Sequence, residues 1–137
     1  MDRAALAAFL RDAFPQVAED FTVEEVRPMG VRMRMHVGNR NLRPGGTVSG
    51  PAMFSLADVA VYLAILAMIG PEALAVTTNA AIDFMRKPAA GRDLLAEARL
   101  LKLGRALAVG DVLVFSEGAA DPVARASLTY SIPPKRV

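Results

Sequence analysis

Nineteen consecutive residues, Pro51 to Ile69 (PAMFSLADVAVYLAILAMI), are apolar almost all round a helix and carry one charge, Asp58. The stretch is too long for a strand, and a helix without a polar face is buried in a protein core or in a membrane. A carboxylate in such surroundings is costly unless it is paired, hydrogen-bonded or used in chemistry. Ser55 and Tyr62, three and four residues away, share its side of the helix, so one narrow polar stripe crosses an otherwise apolar surface. Asp58 is therefore the first candidate functional residue. A structural role answers the same observation, because an Arg or a neighbouring turn can also satisfy a buried carboxylate.

The bulk composition narrows the alternatives. At 137 residues the chain is expected to form a single domain, residues 1–137, large enough for a real core. A hydrophobic fraction of 53% excludes a disordered chain. The net charge is +2, no Lys/Arg run exceeds two residues, and no basic stripe with interleaved aromatics occurs, so a nucleic-acid partner is not expected. The absence of cysteine removes disulfides, thiolate metal sites and cysteine nucleophiles. The N-terminus has no apolar secretory core, which points to a cytoplasmic protein. Asp58 at the centre of a membrane span would cost about 2.5–3.5 kcal/mol. A buried core helix is the better expectation, with no membrane partner.

The flanking sequence reads as short elements with abrupt turns. Leu6, Phe9, Leu10 and Phe14 recur at helical spacing over residues 3–14, and Pro15 ends that short N-terminal helix. Residues 21–27 and 31–37 read as strands around a Met29-Gly30 turn, the second alternating Val31, Met33, Met35, Val37 against Arg32, Arg34, His36. Residues 38–50 (GNRNLRPGGTVSG) form the longest loop. Pro51 fits a first helical position, which makes Gly50 the expected N-cap, and Gly70-Pro71 stops the helix. Strands are expected over 74–86, 93–103, 106–116 and 123–132, the last with Ala124, Ala126, Leu128, Tyr130 and Ile132 on one face. The short turns imply antiparallel neighbours. The fold class is α+β: one long hydrophobic helix wrapped by a curved antiparallel sheet of five or six strands.

Four segments resemble a known family. These are Gly46-Thr47-Val48-Ser49-Gly50 with Asp58 eight residues beyond, and Ala75-Val76-Thr77-Thr78 continuing to Ile82-Asp83-Phe84-Met85-Arg86-Lys87-Pro88. Gly104-Arg105-Ala106-Leu107-Ala108-Val109 is the third, and Val123-Ala124-Arg125-Ala126 leading to Thr129-Tyr130 is the fourth. Over roughly residues 39–132 their order and spacing resemble the phenylacetate-pathway (PaaI-type) branch of the hotdog-fold acyl-CoA thioesterases. The resemblance implies the hotdog fold, hydrolysis of an acyl-CoA, and no cofactor beyond the coenzyme A of the substrate. It also implies sites at the interface of a homodimer, with a tetramer built from dimers as a further form. The family's helix acid corresponds to Asp58, its loop glycine to Gly50 and its strand hydroxyl to Thr77. Asn41 is a looser match to the loop asparagine. The family's histidine is replaced by Ser49, and its second loop glycine by Pro51.

The chemistry can proceed without that imidazole. Thioester hydrolysis needs a polarised carbonyl and an activated water or carboxylate nucleophile. The Gly50 N–H at a helix N-terminus supplies the first, Asp58 the second, and Thr77 can orient the water. Met53, Phe54, Tyr62 and Met85 are candidates for an acyl pocket suited to a medium-chain or aryl group. Arg86, Lys87, Lys102 and Arg105, at strand ends, are candidates for the coenzyme A phosphates. Each of these also reads as ordinary core or solvated charge. Dehydration lacks its base, since the sole histidine, His36, lies on the charged face of a strand, and no metal-ligand spacing occurs. Two further readings stay open: a non-catalytic acyl-CoA-binding module, which the Ser49 and Pro51 replacements favour, and a structural dimerisation domain.

Overall fold

The computed structural model describes residues 1–134. Its main elements are helix α1 (Arg3–Ala13), strands β1 (Phe21–Arg27) and β2 (Gly30–Met35), and helix α2 (Gly50–Ile69). Strands β3 (Val76–Phe84), β4 (Leu94–Leu103), β5 (Leu107–Ser116) and β6 (Ala124–Ser131) follow. The six strands form one antiparallel sheet in the order β1-β2-β4-β5-β6-β3. This is the hotdog arrangement, with α2 as the filling. The strand that follows α2 in the chain crosses to the far edge of the sheet, and that placement is what builds the site.

The helix is buried as its composition requires. Leu56, Leu63, Ile65 and Leu66 are fully buried, packed with inward residues such as Ala96, Val112, Val114 and Leu128. Burying each such aliphatic side chain contributes about 1.5–3 kcal/mol. Small residues set how closely helix and sheet approach: a Cβ added at Gly110 of β5 would lie 3.1 Å from both Val61 methyl carbons. Gly70, at φ 93, ends the helix and donates its N–H to Leu66 O over 2.8 Å.

The N-cap is Ser49 rather than Gly50. Ser49 is extended, and its Oγ accepts from the Ala52 N–H at 3.3 Å, so Gly50 and Pro51 become the first two helical residues. A hydroxyl able to satisfy an orphan helix donor outranks glycine for this position. The expected polar stripe also divides: Ser55 is exposed, whereas Tyr62 is buried and its hydroxyl donates to Ala73 O over 3.2 Å. Asp58 finds its partners on the sheet instead.

Candidate active site

Asp58 is half-buried midway along α2, facing the paired strands β3 and β6. Thr77 Oγ1 donates to its Oδ1 over 2.6 Å, and the Tyr130 hydroxyl donates to the same oxygen over 2.7 Å. Thr77 and Tyr130 are direct partners in the β3–β6 ladder, so backbone register delivers both donors side by side. Tyr130 is buried, and burial together with the adjacent Asp58 carboxylate pushes its hydroxyl well above the usual phenol range. It therefore stays protonated and donating. Burial, and secondarily Glu72, also raises the Tyr62 hydroxyl.

A cavity of about 220 Å³ opens beside Asp58, Thr77 and Tyr130, and its walls are apolar: Leu10 of α1, Phe14 just beyond its end, Val17, Val59 and Ala75. Tyr62 lines it as well, its ring edge-on to Phe14 at 5.8 Å and tilted against Tyr130 at 6.1 Å. The amphipathic periodicity of residues 3–14 accounts for α1 docking here through Leu6 and Leu10.

A second hollow, about 480 Å³, lies at the N-terminal end of α2 and is bordered by Gly50, Met53, Phe84, Met85, Arg86 and Lys87, with Arg43 across it. Of the first three helical residues, Pro51 has no N–H and Ala52 donates to Ser49, which leaves the Gly50 N–H as the donor of the first turn without a partner among the described residues. The Phe84 ring packs on Gly50 so closely that a Cβ there would lie 3.2 Å from Phe84 Cζ. The preceding loop is well anchored. Asn41 accepts from the Ser49 N–H through its backbone carbonyl (2.7 Å) and from the Gly38 N–H through its side chain (2.8 Å), and Leu42 bridges to Val48. Asn41 and Ser49 thus hold the loop to the helix start.

The residues expected from sequence separate between these two places. Asp58, Thr77 and Tyr62 meet at the first. Gly50, Met53, Met85, Arg86 and Lys87 meet at the second, with Ser49 and Asn41 just behind. Phe54 borders neither cavity. Lys102 and Arg105 are exposed at the β4–β5 turn, level with the start of β3, whereas Arg86 and Lys87 follow its end. Along β3 those ends are roughly 25 Å apart, so the four cations form two pairs and not one cluster. Tyr130, Leu10, Phe14 and Val17 went unassigned: strand periodicity marks Tyr130 as buried but cannot say that its hydroxyl meets Asp58. Among the described residues no group of three His, Asp or Glu side chains converges as a metal site would require.

A third, larger hollow of about 760 Å³ lies on the outer face of the sheet. Four of its charges pair, Arg27 with Glu97 at 3.2 Å and Arg125 with Asp83 at 2.8 Å, and none of the residues around Asp58 or Gly50 borders it. His36 is likewise engaged away from Asp58, its Nε2 2.6 Å from Thr22 Oγ1.

Comparison with known proteins agrees with this architecture. The model of the thioesterase superfamily matches residues 45–122, from the loop before α2 to the turn before β6. A proposed thioesterase of Silicibacter sp. is 60% identical, with 98% of this chain and 93% of that chain covered and a TM-score of 0.92. A mutant of the phenylacetic acid degradation protein PaaI of Thermus thermophilus is 29% identical over 87% of this chain and 99% of that one, TM-score 0.75. A Streptococcus mutans protein solved bound to acetyl-CoA is 26% identical over 85% and 91% of the two chains, TM-score 0.73. No curated protein matches the sequence. With more than half its length matched by the family model and a 60% identical relative covering nearly all of it, this chain belongs to the thioesterase superfamily.

Proposed function

We propose that this protein is an acyl-CoA thioesterase that hydrolyses medium-chain or aryl acyl-CoA at sites shared between two copies of the chain. The observation that carries the reading is a carboxylate with a free oxygen beside an apolar cavity, matched by a free helix N-terminal N–H in a basic hollow. Gly50 and Asp58 lie eight residues apart on one helix, which is about 12 Å. That is too far for both to act on one thioester, so a single chain holds two half-sites.

A homodimer brings the halves together. β3 is an edge strand of nine residues that leaves Val76 (57%) and Phe84 (51%) exposed. Long apolar edges of this kind are templates for pairing with another chain. Asp58 is bonded to the start of β3 through Thr77, and Gly50 is packed against its end through Phe84. Antiparallel pairing of two β3 edges lays the end of one strand beside the start of the other. Gly50 of one copy then approaches Asp58 of its partner. The same operation brings Arg86 and Lys87 of one copy towards Lys102 and Arg105 of the other, giving the coenzyme A phosphates a cationic rim. That the Streptococcus mutans relative binds acetyl-CoA supports this ligand class.

In the reaction, the Gly50 N–H at the positive end of α2 stabilises the developing oxyanion. Asp58 either takes a proton from a water, whose oxygen bonds to the acyl carbon, or attacks that carbon itself to form an anhydride that water then cleaves. In both routes the C–S bond breaks and coenzyme A leaves as the thiolate, which takes up a proton. Thr77 spends its one proton on Asp58 and keeps lone pairs with which to orient the water. The cavity beside Asp58 suits the acyl group: about 150 Å³ holds benzene, and about 220 Å³ is available. Ser49 holds the helix start rather than replacing the family's imidazole, and its hydroxyl is committed to Ala52.

The deciding experiment is thiol release from short, medium-chain and aryl acyl-CoAs by the wild type and Asp58→Asn. Turnover that falls at least about a hundredfold in the variant is expected from loss of the reacting carboxylate. Equal rates would remove Asp58 from the mechanism. Binding of acyl-CoA without release would leave a binding module.

A further inference from the structure

We infer that Tyr130 is a positioning residue of this site: together with Thr77 it occupies one oxygen of the Asp58 carboxylate and reserves the other for the reaction. The inference rests on the thioesterase reading above. Both side-chain donors that reach Asp58, Thr77 Oγ1 at 2.6 Å and the Tyr130 hydroxyl at 2.7 Å, converge on Oδ1. No donor among the described residues engages Oδ2. A carboxylate held at a single oxygen by one donor still swings about its Cβ–Cγ bond. Two donors arriving from adjacent strands fix its plane, and the productive geometry of a catalytic group must be held closely by such supporting bonds.

Tyr130 is suited to that task in three respects. Its ring is 3% exposed and tilted against Tyr62 at 6.1 Å, so the hydroxyl is delivered with little conformational freedom left to lose. Its proton goes to the charged oxygen at 2.7 Å in preference to the Asp58 backbone carbonyl at 3.0 Å, since hydrogen bonds to ionised acceptors are shorter and stronger. The other inward residues of β6 are Ala124, Ala126 and Leu128. Tyr130 is the one inward residue of β6 with a polar side-chain atom, and that atom meets Asp58.

The test replaces Tyr130 by Phe, which keeps the ring and deletes the hydroxyl. Steady-state kinetics with an acyl-CoA that the wild type turns over should show kcat reduced about 10- to 100-fold with KM changed less than about twofold, because the bond orients the reacting group and not the substrate. Thr77→Val should behave likewise, and the double variant should lose less than the product of the two single losses, as expected for donors sharing one oxygen. A kcat for Tyr130→Phe within about twofold of wild type, in a variant with an unchanged melting temperature, overturns the inference, while an Asp58→Asn variant that has lost turnover leaves the thioesterase reading intact. Loss confined to KM also overturns it. A wild type that releases no thiol from any acyl-CoA overturns both. If the phenylalanine variant does not fold, Tyr130→Leu, which matches the neighbouring Leu128, reads the same kcat.

Discussion

Thr77 and Phe84 stand near opposite ends of one edge strand, and each touches a different half of the site. Thr77 donates to Asp58 over 2.6 Å, while the Phe84 ring lies 3.2 Å from where a Gly50 Cβ would sit. The strand thus separates the two halves within one chain, and in the proposed dimer its reversed copy would superpose them. A two-fold axis perpendicular to the sheet would set one residue of the strand directly opposite its own copy, near Ala80 or Ala81.

That geometry predicts a cross-link. The chain has no cysteine, so Ala80→Cys and Ala81→Cys each introduce a single thiol. Opposed residues in an antiparallel pair have Cα atoms about 4.5–5.5 Å apart, within the disulfide range of about 4.4–6.8 Å. One of the two variants should form a covalent dimer under mild oxidation on a non-reducing gel. Monomer from both would refute pairing through β3.

Acyl selectivity should depend on Phe14, which caps the end of α1. Phe14 closes one side of the cavity beside Asp58. Phe14→Ala is predicted to raise kcat/KM for decanoyl-CoA relative to hexanoyl-CoA by about tenfold, since each methylene in an apolar pocket is worth roughly 1–3 kcal/mol of discrimination. An unchanged ratio would mean that the acyl group lies elsewhere.

The N-cap can be weighed separately from chemistry. Ser49→Ala removes the acceptor for the Ala52 N–H, and the predicted loss of stability is about 0.5–2 kcal/mol. A urea melt reads it directly. No change in midpoint would mean that water satisfies the helix start equally well.

Acid should loosen the base of the loop that leads into α2. Asp93 accepts from the Val37 N–H (3.0 Å) and from Arg34 (3.1 Å) just before residues 38–50 begin. Burial works to raise its carboxyl, but the Val37 and Arg34 bonds and nearby His36 outweigh it and hold the group below its ordinary 3.8. A native value below the unfolded one means that the unfolded chain binds the proton more readily. The contribution of Asp93 to stability is therefore whole above about pH 5 and disappears as pH falls through its lowered native value. Asp93→Asn should lower the melting temperature at pH 7, and the gap to wild type should close as pH falls through the lowered native value. A gap that persists in acid would show that packing, not charge, is what the substitution removes.

Much of this was legible in the residues. An all-apolar stretch with no polar face had to be a buried helix, Gly70-Pro71 had to end it, and turn residues, with alternation in residues 31–37 and 123–132, located every strand to within two residues of its observed bounds. The six-stranded count lies within the expected five or six. The N-cap was misassigned by one residue because proline tolerates both of the first two helical positions, and only the Ser49 hydroxyl geometry distinguishes them.

Sequence by itself determined that the helix carrying Asp58 would be buried and that this carboxylate would need partners. Those are consequences of local pattern and of the cost of burying charge. Which partners it received was decided by tertiary structure: β3 crosses to the far edge of the sheet and pairs with β6, so Thr77 and Tyr130, 53 residues apart in the chain, arrive as neighbours at one oxygen. Strand order is a long-range property with no signature in local periodicity. The separation of Gly50 from Asp58 into two half-sites follows from helix rise alone, but the edge strand that can reunite them exists only once the sheet is assembled.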